Sequence, residues 1–151
     1  MQADVMFSSK SDDWATPQPF FDELDREFGF GLDAAATSEN TKCSKFLSDA
    51  LEFNWAECSF GQPIWLNCPY SRCREFIAKA AQEARSGATV VALVPSRTDT
   101  RWWHDEVYDA NKRQYRPGVE VRFVKGRLKF GGSTNSAPFP SVVIIFRPPC
   151  P

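Results

Sequence analysis

Apolar residues recur with two different periods along this chain, and the switches between them mark out its elements. In "FFDELDREFG", Phe20, Phe21, Leu24 and Phe28 stand at helical spacing with charged residues between them. Pro17 and Pro19 suit a helix start, Thr16 is placed to cap it, and Gly29 or Gly31 to end it. "FGLDAAAT" predicts a short strand over 30–34 that breaks into a loop of small residues. Residues 35–60 carry little periodicity and read as mostly loop, with a helical turn near Asp49. "PIWL", at 63–66, predicts a short buried strand. "RCREFIAKAAQEARSG" then predicts a helix with Phe76, Ile77, Ala80, Ala81 and Ala84 on one face and Gly87 at its end.

The second half reads as one further helix and several strands. "ATVVALV", at 88–94, is a nearly unbroken apolar run, which suits a central strand covered on both faces. "TDTRWWHDEVYDA" predicts a helix capped by Thr98 or Asp99. Strands are expected at 119–124, 127–130 and 141–146, with Lys125-Gly126 as a tight turn. Strand, helix, strand, helix and a terminal β-hairpin together predict an α/β sheet in three layers. Ligands of such sheets bind beyond the carboxyl ends of the strands. Asp33 and Asn67 both fall at such ends.

Composition narrows the class. A chain of 151 residues, 42% apolar and 25% charged, is sized for one domain with one core. Residues 1–11 are expected to form a flexible N-terminal segment and 12–151 the domain. No run is long enough to span a bilayer and no signal-peptide core opens the sequence, so a cytoplasmic protein without membrane contact is expected. The five cysteines, Cys43, Cys58, Cys68, Cys73 and Cys150, form no C-x-x-C pair, and His104 is the single histidine. No metal is expected, and the thiols are read as reduced. A monomer is expected, because no long apolar surface helix stands out.

Charge is distributed unevenly. Residues 1–66 carry 4 Lys/Arg against 12 Asp/Glu, a net of −8, and residues 97–129 carry 9 against 5, a net of +4. A polyanion is therefore expected at the second half, although a solvated basic face would give the same count.

The candidate chemistry lies in "NCPYS", at the end of the second predicted strand. An exocyclic amine on a nucleobase is a poor nucleophile, because its lone pair is delocalised into the ring. Two acceptors on its two N–H bonds favour a pyramidal nitrogen and aim the lone pair outward. The Asn67 carbonyl and the main-chain carbonyl of Cys68 are such acceptors. Tyr70 offers an aromatic face for a base rotated out of its stack. No general base is required before attack, since the alkylated amine becomes acidic and loses its proton afterwards.

"NCPYS" is similar to the (D/N/S)-P-P-(Y/F/W) loop of amino-methyltransferases. Together with "DDWATPQPFFDELDREFGFGLDAAAT", "TKCSKFL", "LVPSRTDTRWWH" and "GRLKF", it resembles the Dam-like DNA N6-adenine methyltransferases of bacteriophages over residues 12 to 147. The resemblance implies a three-layer Rossmann-like S-adenosylmethionine-dependent methyltransferase fold with a C-terminal β-hairpin. It implies S-adenosyl-L-methionine as donor, adenine N6 in DNA as acceptor, and a bacterial host cytoplasm with a place in restriction-modification. Asn67, Cys68, Pro69 and Tyr70 match the catalytic loop. "WATP" matches the segment that cradles the donor's methionine part, implicating Trp14, Thr16 and Pro17. "LDAAAT" stands at the donor loop, implicating Asp33, Ala34 and Ala35, with Asp33 facing the donor's ammonium group. Asp49 is assigned to the donor's adenine amine. Ser71, Arg72, Arg97, Arg101, Lys125 and Arg127 are assigned to DNA.

Two departures from the family pattern matter. Alanines stand where such enzymes often carry a glycine-rich loop, so a tight turn with positive φ is not expected there. Cys68 replaces a proline, keeping the carbonyl but losing the fixed φ, which predicts a working enzyme of reduced rate. A cytosine-C5 mechanism with a Cys68 thiolate is rejected: that family places cysteine after proline, and only Arg72 and Arg74 are near enough in sequence to lower the thiol pKa. Other readings remain open. The acceptor can be cytosine N4, RNA or a protein amide, or the chain can be a DNA-binding homologue with impaired turnover. Trp14, Phe20 and Phe21 can simply be core, and Asp33 can be a loop cap.

Overall fold

The computed structural model describes residues 14–132 and 135–149. The expectation for residues 1–11 and the cysteine at 150 lie outside that range. The chain forms α1 (Gln18–Phe28), β1 (Leu32–Asp33), α2 (Trp55–Cys58), β2 (Ile64–Leu66) and α3 (Cys73–Arg85). It continues through β3 (Val90–Pro95), α4 (Arg101–Glu106), β4 (Tyr108–Asp109), β5 (Gln114–Tyr115), β6 (Val119–Phe123) and β7 (Ser141–Phe146). The main sheet runs β1-β2-β3-β7-β6, a mixed sheet in a mixed α/β fold. β1, β2 and β3 are parallel, and β7 is antiparallel to both β3 and β6.

Alternation of side chains along the strands builds a core on each face of this sheet. On one face Ile64, Leu66, Val90, Ala92 and Ile144 pack with Phe76, Ile77, Ala80, Ala81 and Ala84 of α3. All five α3 positions expected on the inner face are buried. On the other face Trp65, Val91, Leu93, Val143 and Ile145 pack with Phe21 of α1. Phe21 meets Trp65 edge to face at 5.2 Å. Every residue of β3 and β7 is buried, as the unbroken apolar runs require.

Four local expectations are corrected. Thr16 does not cap α1: Pro17 is the cap residue and gives no side-chain bond, while Gly29 closes the helix in the left-handed region, its N–H on the Asp25 carbonyl. α4 is capped by Thr100 instead of Thr98 or Asp99, the Trp103 N–H donating to Thr100 Oγ1 at 3.4 Å. Residues 127–130 are not a strand. The stretch leaves the free edge of β6 unpaired, and Leu128 and Phe130 instead pack into the second core cluster. The C-terminal antiparallel pair is therefore β6 with β7, joined by a long connection over 124–140. Finally, the helix expected over 98–110 spans only Arg101–Glu106, and Tyr108–Asp109 leaves it as β4 to pair with β5 in a two-stranded ribbon.

Candidate active site

β1 and β2 run side by side, so the loops at their carboxyl ends open into one space. The register Asp33 with Trp65 sets Asp33 one strand away from the Asn67 corner. A cleft of about 380 Å³ lies there, within the usual range of small-molecule sites. Asp33, Ala35, Lys42, Asn67, Pro69 and Arg72 line it together with Trp14, Thr16 and Phe76.

Asp33 is 3% exposed. Its Oδ1 accepts from the Ala35 N–H at 3.3 Å and its Oδ2 from the Lys42 N–H at 2.9 Å. Residues 42–47 are drawn alongside β1: Asp33 N–H donates to the Lys45 carbonyl, Leu47 N–H donates to the Asp33 carbonyl, and Asp33 bridges Phe46 in parallel. Burial pushes the Asp33 carboxyl up to about 6, against the pull of the two main-chain bonds and of the Lys42 charge. Ionising it in the folded protein therefore leaves a carboxylate with incomplete compensation, open to a cation. None of Ala34, Ala35 and Ala36 takes a positive φ, in keeping with the alanine argument. Ala34 is buried in the core, and Ala35 is the one of the pair that lines the cleft.

The Asn67 carboxamide is held by three bonds. Its Nδ2 donates to the Trp14 carbonyl at 2.5 Å and to Thr16 Oγ1 at 3.0 Å. A main-chain carbonyl can only accept, so the atom facing Trp14 must be the nitrogen, which fixes Oδ1 on the other side. There the Tyr70 hydroxyl donates to Oδ1 at 3.0 Å. Burial holds the Tyr70 phenol well above its usual range, so it stays a neutral donor. Its ring stands edge-on to Phe139 at 5.6 Å and Phe130 at 6.4 Å. Trp14 meets the same two rings, at 5.1 and 5.5 Å, and the Gly131 N–H donates to the Ala15 carbonyl. The segment 14–16 is thus clamped between the Asn67 corner and the β6–β7 connection.

Cys68 is buried, its Sγ 3.9 Å from Cys73 Sγ at the start of α3. Cys43 sits beside Asp33, and burial with that carboxylate pushes its thiol up to about 12. No group of three or more potential metal ligands gathers among the described residues. None of the described helices is long and apolar enough to cross a membrane.

Other assigned residues are less central. Asp49 is exposed and precedes a short turn at Ala50–Glu52; it does not line the cleft, whereas its neighbour Ser48 does. Pro17 lies on the outer side with Pro19 and Arg127. Ser71 and Arg72 are exposed at the turn after Pro69, and Arg72 is held by Glu75 through bonds of 3.2 and 2.8 Å. Arg97 and Arg101 follow the carboxyl end of β3. β6 runs in the same direction as β3, so Lys125 and Arg127 leave the sheet at that same end. Arg97, Arg101, Lys125 and Arg127 are exposed and enter no ion pair among the described residues. Sequence reasoning missed Lys42, Phe130 and Phe139. Lys42 acts at Asp33 through its main chain, which leaves no residue signature.

The sequence matches the family described as DNA N-6-adenine-methyltransferase (Dam) over residues 5–150. It is 34% identical over 152 residues to a DNA N-6-adenine-methyltransferase of Escherichia phage T1, a match taking in 89% of this chain and 62% of the phage protein. It is 29% identical over 149 residues to a DNA N-6-adenine-methyltransferase of Haemophilus phage HP1, covering 95% of this chain and 83% of that protein.

Proposed function

The chain belongs to the DNA N-6-adenine-methyltransferase (Dam) family, and from that premise we propose that it transfers a methyl group from S-adenosyl-L-methionine to N6 of adenine in DNA. The observation that carries the reading is the sharing of one cleft by a buried, under-compensated carboxylate, Asp33, and an oriented carboxamide, Asn67. A mixed sheet with its cleft at the carboxyl ends of parallel strands suits the Rossmann-like methyltransferase arrangement.

The residues present fit such a donor. Asp33 suits a cationic amine, and Trp14, Ala35, Trp65 and Phe76 supply apolar wall. When bound, the donor supplies an electrophilic methyl group on a sulfonium. Asn67 then acts on the acceptor. With both Nδ2 hydrogens used, the carboxamide cannot turn, and Oδ1 keeps a second lone pair for an amine N–H beside the Tyr70 hydroxyl. The Cys68 carbonyl accepts a hydrogen bond from the other amine N–H. Both N–H bonds would then be directed into acceptors, leaving the nitrogen lone pair free to receive the methyl group that a bound donor would supply. The cationic amine loses its extra proton to solvent. Tyr70 serves as the stacking surface for the flipped base, and the exposed cations at this end of the sheet meet the phosphates.

The test is transfer of isotopically labelled methyl from S-adenosylmethionine to unmethylated DNA, followed by nucleoside analysis. Label in N6-methyladenine is expected. Label in N4-methylcytosine would move the acceptor, and no label with intact DNA binding would make the chain an impaired homologue.

A further inference from the structure

Lys42 is the feature of the cleft that the reaction above does not use. Its main-chain N–H caps Asp33 Oδ2 at 2.9 Å, and the residue lines the same cleft. Its Nζ donates to Gln18 Oε1 at 2.8 Å, reaching from the loop after β1 to the first residue of α1. Gln18 in turn donates to Asp22 Oδ1 at 2.8 Å. The direct partner of the ammonium is therefore a neutral carboxamide, and no ion pair of Lys42 forms among the described residues. Arg72, the other cation lining the cleft, differs: Glu75 already holds it through two bonds. One end of the cleft thus carries one buried acid and one base that forms no ion pair among the described residues, anchored to each other by the Lys42 N–H on Asp33.

An α-amino acid end carries the complementary pair, an ammonium and a carboxylate on one carbon. We propose that Lys42 binds the α-carboxylate of the donor's methionine part while Asp33 takes its ammonium, so that the two read the zwitterion as a unit. This rests on the donor reading above. Lys42 is a binding residue here and takes no part in bond making. Its flexible stem allows the ammonium to leave Gln18 for a charged acceptor, a stronger bond than the neutral one it gives up.

The test compares two adenosine thioethers by calorimetry, with no turnover needed. S-adenosylhomocysteine carries the amino acid end, and 5′-methylthioadenosine lacks it. Lys42→Met retains the main-chain N–H on Asp33, so the loop is kept. We expect Lys42→Met to weaken S-adenosylhomocysteine roughly tenfold and to leave methylthioadenosine unchanged. Lys42→Arg should recover most of that loss. Equal losses for both ligands, or an unchanged affinity for S-adenosylhomocysteine, overturn the clamp while leaving the donor site standing. Failure of the unaltered protein to bind either ligand at millimolar concentration overturns the donor reading and the clamp with it.

Discussion

At the end of β1, Asp33 takes both of its hydrogen bonds from main-chain N–H groups of its own loop. At the end of β2, Asn67 is held from outside: Trp14 and Thr16 reach it across separations of 53 and 51 residues, and Tyr70 completes the set. The two corners are neighbours, yet one is a local structure and the other exists only when a distant segment docks. That segment is itself fixed by the β6–β7 connection, through Phe130, Phe139 and the Gly131 N–H. The proposed acceptor corner therefore depends on the docking of a distant segment, while the carboxylate proposed for the donor is held by a short stretch of chain. Substitutions should separate the two.

The largest effect is expected from Asn67→Ala. It removes the proposed amine acceptor and the bonds that the Trp14 carbonyl, the Thr16 hydroxyl and the Tyr70 hydroxyl make to the carboxamide. Methyl transfer should fall by about 10²-fold or more, and stability by about 1–3 kcal/mol, read by single-turnover rates and urea denaturation. Donor affinity should hardly change.

Asp33→Asn should do the reverse, weakening donor binding roughly tenfold above pH 6, as calorimetry would show. The pH dependence follows from burial. The folded carboxyl, at about 6, lies above its unfolded value of 3.8, so the folded state keeps this proton longer. The associated stability is present below 3.8 and is lost as pH rises through 6, about 3 kcal/mol for a displacement of this size. A bound ammonium offsets that loss. Donor affinity should therefore rise as pH increases through about 6 and level off above it, and Asp33→Asn should flatten the profile.

Thr16→Val keeps the volume but deletes one acceptor of Asn67. A cost near 1 kcal/mol and a several-fold slower transfer are expected, because the carboxamide gains freedom to turn. A loss confined to donor binding would assign Thr16 to the other corner. The smallest effect belongs to Cys68→Pro, which leaves the carbonyl in place and stiffens the loop. Transfer should be preserved or raised, and a large loss would show that the Cys68 side chain, packed near Cys73, shapes the corner.

The contrast between the corners also explains what could be read beforehand. Elements whose partners lie on their own period were legible: α1 and α3 from helical spacing, β3 and β7 from unbroken apolar runs. Asp33 was legible as a strand-end acid for the same reason. Thr16 was misjudged because capping is a local pattern, while its real partner is Asn67, far along the chain. The alternation in "RLKF" looks like a strand, but apolar positions at every second residue serve equally to cover the end of a core. β4 and β5, of two residues each, are too short to show any period. Phe130 and Phe139 gave no signal, since their role comes from the docking of Trp14 and Tyr70 against them.

The division of labour is tested most directly by the single-turnover transfer rate as a function of donor concentration, for Asn67→Ala and Asp33→Asn side by side. Asn67→Ala should reach half of its lowered plateau at the same donor concentration as the unaltered protein. Asp33→Asn should need more donor and then approach the unaltered plateau. A normal plateau for Asn67→Ala, or a lowered plateau with no shift in donor concentration for Asp33→Asn, would contradict the account.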